Sequence, residues 1–172
     1  MSKLEDDTIF LKELQVGHQW QLWAGFQFLK RGFIVQVPPL LIRPSREDID
    51  AYSDHGDIFL WRCSGDRLRF ECKSRSLSFT GRRDYPFPTA FVDRVETWKR
   101  KANSKPAAIL LVSQETGAIL AIDAWTESDW VIEEKDDSVR GYRRSYYLVP
   151  RSILLEWDEL ISHINGQLRG LQ

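Results

Sequence analysis

From Leu11 to Arg31 the chain has no proline and no alternating pattern. Leu14, Trp20, Leu22, Trp23, Ala24, Phe26, Phe28 and Leu29 surround a helical projection almost completely, which predicts a largely buried helix. Gly32 stands where a C-terminal cap favours glycine, and Phe33 to Val37 then reads as a short strand stopped by Pro38 and Pro39. The polar stretch from Arg43 to Asp54 reads as loop with a helical turn near Ser45.

Next comes a hairpin: Asp57 to Cys63 as one strand, Ser64, Gly65 and Asp66 as the turn, and Arg67 to Ser74 as the return. Side chains on a strand have period two, so Leu68, Phe70 and Cys72 point one way while Arg69, Glu71, Lys73 and Arg75 point the other. Beyond a stiff loop at Tyr85, Pro86, Phe87 and Pro88, the stretch from Thr89 to Lys101 reads as an amphipathic helix. Its N-cap is Thr89 and its apolar stripe is Phe91, Val92, Val95 and Trp98. Ala107 to Ser113 and Ala118 to Ala124 read as two strands joined by a turn from Gln114 to Gly117. The stretch from Ser128 to Arg144 carries no clear signal. Tyr146 to Val149 reads as a last strand and Pro150 to Gln167 as a final helix that buries Ile153, Leu154, Trp157, Leu160, Ile161 and Ile164. The order implies an α/β fold with a mixed sheet between helices.

A length of 172 residues suits one domain, with its core from about 11 to 124 and the strand and helix of 145–168 packed on it. No internal repeat or low-complexity tract divides it. Acidic residues occupy the place of a signal peptide's apolar segment, and apolar runs such as Ala107 to Val112 are too short to span a bilayer, so a cytoplasmic protein without a membrane partner is expected. Cys63 and Cys72 lack zinc-site spacing and read as ordinary reduced thiols.

A net charge of −1 argues against a nucleic-acid partner until its distribution is considered. Between Arg62 and Lys105 stand 12 Lys/Arg and 5 Asp/Glu, a local excess of +7 that leaves −8 for the remainder. Such asymmetry fits a phosphate-binding face or a solvated surface.

Gly56-Asp57, thirteen intervening residues and Glu71-Cys72-Lys73, set in that order of helix, hairpin and helix, resemble the PD-(D/E)xK nuclease superfamily, which includes restriction-endonuclease-like and Holliday-junction-resolvase-like proteins. The resemblance covers roughly Leu11 to Ala124. It implies a three-layer restriction-endonuclease-like α/β core, with a central mixed sheet flanked by helices. It also implies a Mg2+ ion (Mn2+ as substitute) held by Asp57, Glu71 and the Cys72 backbone carbonyl, with Lys73 orienting water or stabilising charge on phosphate. Alone, a Glu-x-Lys triplet is equally a solvated strand face.

The resemblance also places a helix Glu about eleven residues before Gly32, where this chain has Gln21. An amide can accept from a metal-bound water but lacks the charge to hold a second cation, and it can equally bond within the helix. Gly56 stands where the family name has Pro. His18 has no spaced partner for a catalytic pair, and His55 is a candidate phosphate contact or plain loop surface. Arg69, Arg75, Arg82 and Arg83 fit backbone positioning, extended by Lys99, Arg100 and Lys101. Tyr85 and Phe87 fit packing better than base contact.

The expectation is a Mg2+-dependent endodeoxyribonuclease acting on duplex or branched DNA as a homodimer, since cutting two strands usually takes two sites. The alternative is a degenerate module of the same fold that binds nucleic acid or a protein without cleavage.

Overall fold

The computed structural model describes residues 3–40, 57–61, 67–101, 104–137 and 142–169. Their core is a strand buried on both faces. In β5 (Ala108–Ser113) every residue is buried, and period two divides the strand between two apolar clusters. Ala108, Leu110 and Val112 enter one; Ile109 and Leu111 enter the other. Such a continuous apolar run is what a strand covered on both sides requires.

Around it lie β1 (Ile34–Gln36), β2 (Ile58–Trp61), β3 (Arg67–Arg75), β6 (Ile119–Asp123) and β9 (Leu155–Glu156), in the order β1-β2-β3-β5-β6-β9. β3 and β5 run parallel and the other neighbours antiparallel, so the sheet is mixed. One face carries α1 (Lys3–Lys30) and α3 (Trp157–Arg169), whose Ala24, Phe28, Leu160, Ile161 and Ile164 join Phe70 in the first cluster. The other face carries the short helix α2 (Val95–Arg100) and a second sheet of β4 (Thr89–Arg94), β8 (Tyr142–Pro150) and β7 (Val131–Asp137), in the order β4-β8-β7. Val95, Trp98, Val92, Tyr147 and Val149 fill that side. The architecture is α/β in three layers, with a central mixed six-stranded sheet flanked by helices, and a small second sheet shares the outer layer with α2.

Three expectations need correction, and one stretch without a clear signal resolves. The first helix begins at Lys3, eight residues before the expected start, and it is not largely buried: Phe28 is fully covered while Phe26 is 52% exposed, with Leu22 and Leu29 similar. A helix laid on a sheet buries one stripe, however apolar its other faces. The expected helix from Thr89 to Lys101 is strand β4 followed by six residues of helix, because Ala90 and Val92 alternate inward and pair with β8. The unread stretch from Ser128 supplies β7 and the start of β8. The last helix begins at Trp157; Ile153 lies in a short 3-10 turn, and Leu155 and Glu156 pair with β6. Gly32 does adopt a left-handed φ of 86° after α1, as its capping position requires. Gly56, Cys63, the turn at Ser64 to Asp66 and the loop from Arg43 to Asp54 lie outside the described residues, as does His55.

Candidate active site

β3 presents Phe70 and Cys72 toward α1, leaving Glu71 and Lys73 on the face that looks toward α2 and the second sheet. There Glu71 and Lys73 are joined directly, Lys73 Nζ lying 2.7 Å from Glu71 Oε1. Asp57 immediately precedes β2 and is buried; its backbone N–H donates to Phe70 O at 3.1 Å and its Oδ2 accepts from the Cys72 backbone N–H at 2.5 Å. The hairpin pairing of Ile58 with Phe70 therefore delivers Asp57 beside the Glu71-Cys72-Lys73 segment. Cys72 is a free thiol, and burial together with the negative charges of Asp57 and Glu71 pushes its pKa up, so it remains protonated.

Two further groups enter: Lys101, read in the sequence as part of a phosphate-binding surface, and Asp93, from an element that the sequence read as helix. Lys101, at the C-terminal cap of α2, donates to Glu71 Oε2 at 2.6 Å and to Asp93 Oδ2 at 2.8 Å. Asp93 is buried near the end of β4. It was missed because the stretch read as a helix, on which it would have lain among solvated positions. The signal that finds it is a strand alternation through Ala90 and Val92, followed by a carboxylate out of phase with it.

Burial opposes ionisation of Glu71, but the charges of Lys73 and Lys101 outweigh it and hold the carboxyl below its ordinary pKa. Burial likewise opposes the Lys101 ammonium, and Glu71 and Asp93 outweigh it and raise its pKa. A depressed carboxyl contributes stability above its unfolded pKa of about 4.3 and loses it as pH falls through the folded value. The raised lysine contributes below about 10.4 and loses its part as pH rises through the folded value. In metal-free urea denaturation, the stability gap between wild type and Glu71→Gln should therefore hold steady through neutral pH and narrow as pH falls below about 4. A gap that stays constant in acid would contradict the pairing.

The remaining residues singled out in the sequence divide. Gln21, on α1, lies on the helix that covers the opposite face of the sheet, and its Oε1 is 3.0 Å from His18 Nδ1. Arg75 and Lys73 each lie 5.8 Å from the Phe91 ring centre. Arg82 is committed to the C-terminal segment, donating from Nη1 to Leu154 O at 2.7 Å and pairing with Glu159 at 3.3 Å. Arg69 is part-buried on β3, whereas Arg83, Lys99 and Arg100 are exposed. Tyr85 is buried against Phe79 and Phe87.

The fold and this site together define a mixed α/β protein whose central sheet carries an acid and lysine cluster between a hairpin and a short helix. No family model and no curated protein sequence matches the chain. Among solved structures, the chain is similar at 13% identity to one described as the structure of D212, a nuclease from a fusselovirus, with a TM-score of 0.43 over 100% of this chain and 97% of that one. Among the described residues, no helix is long and apolar enough to cross a membrane.

Proposed function

We propose that the protein is a divalent-metal-dependent endonuclease that hydrolyses DNA phosphodiester bonds at Asp57, Glu71 and Lys73. The observation that carries this reading is the convergence of Asp57 on the Cys72 amide, with Glu71 and Lys73 paired on the strand beside it. A shared strand face accounts for Glu71 and Lys73 alone; it does not account for a buried carboxylate arriving from another strand.

Among the described residues no three His, Cys, Asp or Glu side chains converge as a metal cage. Mg2+ does not need one: it binds through one or two carboxylates and keeps several waters, so Asp57, Glu71 and the Cys72 carbonyl fit a single such ion. When bound, it would polarise the phosphoryl oxygen and lower the pKa of a water. Asp57, fixed by a backbone hydrogen bond, presents a carboxylate already ordered before any ion arrives. Lys73, part-buried with its Nζ 2.7 Å from Glu71 Oε1, would stabilise charge developing on phosphate. Arg83, Lys99 and Arg100 remain exposed to hold the phosphate backbone, and cleavage of a duplex would take two copies of the chain.

One observation favours the non-cleaving alternative. Both Glu71 oxygens already bond an ammonium, which a site built only to fold would also do. Incubation with linear duplex, branched and single-stranded DNA in Mg2+ or Mn2+ separates the two. Metal-dependent cutting that a chelator stops is expected; binding without cutting would leave the alternative standing.

A further inference from the structure

We infer that Lys101 and Asp93 are parts of this site, with Lys101 serving as its resident second cation. The inference rests on the proposed metal position at Asp57 and Glu71. A single ammonium bridges two carboxylates from different elements, 2.6 Å from Glu71 Oε2 and 2.8 Å from Asp93 Oδ2. A divalent ion shared by the same two carboxylates would need that space, since Mg2+ binds oxygen at about 2.0–2.1 Å. An ion there would have to displace the ammonium.

The backbone arranges this bridge. The register between β4 and β8 shifts between Phe91 and Asp93, so Val92 and Asp93 both turn inward where a regular strand would send one of them out. A bulge commonly re-aims a side chain in this way. Helix α2 follows at once, and its brief length returns the chain to the sheet with Lys101 at its end. Trp98, fully buried in the core, anchors that helix, and its ring lies 5.8 Å from Lys101 Nζ. Pulled in by two acids, the ammonium is held where its charge cancels part of theirs. Lys101 and Asp93 thus act as positioning residues for Glu71, leaving Glu71 one ion to share with Asp57.

Equilibrium titration with Mn2+, read by calorimetry and by the electron paramagnetic resonance of free Mn2+, tests the assignment without any nuclease readout. The wild type should bind one Mn2+ per chain, lost in Asp57→Ala. Lys101→Met and Lys101→Gln should each bind two, and either variant suffices if the other fails to fold. Adding Asp93→Asn to the Lys101 variant should return the count to one, and Lys101→Arg should keep it at one because charge is retained. A Lys101→Met or Lys101→Gln protein that stays at one, or a second ion that survives Asp93→Asn, would overturn the inference while leaving the first site intact. If the wild type binds none, the Asp57 and Glu71 position fails by itself. Lys101→Met would then still uphold the bridge by gaining one ion that Asp93→Asn removes, and would overturn it by gaining none.

Discussion

Lys73→Ala should slow phosphodiester cleavage by roughly 10²- to 10³-fold in kcat, the usual effect of removing one preorganised charge from a transition-state site. Asp57→Ala should lose at least as much, because it removes both a carboxylate and the acceptor for the Cys72 amide. The two losses should differ in kind. Lys73→Ala should retain Mn2+ binding, since an ammonium is no ligand, whereas Asp57→Ala should lose binding and turnover together. Arg83→Ala or Lys99→Ala should instead raise KM and flatten its salt dependence, as expected for exposed phosphate contacts. The comparison is single-turnover kinetics at saturating Mg2+, with folding checked by thermal melting. Cleavage by folded Asp57→Ala and Lys73→Ala at the wild-type rate would end the catalytic assignment and leave the cluster as a structural ion-pair network.

Phe28→Ala should cost about 3–5 kcal/mol of folding stability, the usual penalty for emptying a buried aromatic position. Phe28 is fully buried and its ring lies 5.1 Å from that of Phe70, 4.6 Å from Trp157 and 5.9 Å from Phe33, so one side chain ties α1 to β3, α3 and the entry to β1. Against total stabilities of about 5–15 kcal/mol, its loss would leave the domain marginal. Phe26→Ala, two residues earlier and half exposed, should fall within roughly 1 kcal/mol, nearer the range for surface changes. Urea denaturation of the pair measures the contrast. Equal losses would mean that α1 is buried all round, as its composition alone suggests.

Residues close together in sequence declared their arrangement early. Period two put Glu71 and Lys73 on one face of β3, and Ala107 to Ser113 read as a strand, although its cover on both sides came only with the fold. The first follows from backbone geometry that any strand shares. Thr89 to Arg94 misled because Phe91, Val92, Val95 and Trp98 also satisfy a helical stripe, and the pairing with β8 that made it a strand lies more than fifty residues further along the chain.

By itself, then, the sequence determined the mixed α/β layering, the β5–β6 turn, and the hairpin strands that bring Asp57 near Glu71. Which of the basic residues faces solvent and which enters the site was decided only in three dimensions. Lys101 and Arg82 look in sequence like Lys99 and Arg83, yet one bridges Glu71 and Asp93 and the other pairs with Glu159. The reason is physical: a charged side chain goes where an opposite charge offsets its loss of water, and Glu71 stands 30 residues from Lys101 while Glu159 stands 77 from Arg82. Local pattern fixes the face of a strand, while only the folded chain fixes what that face meets.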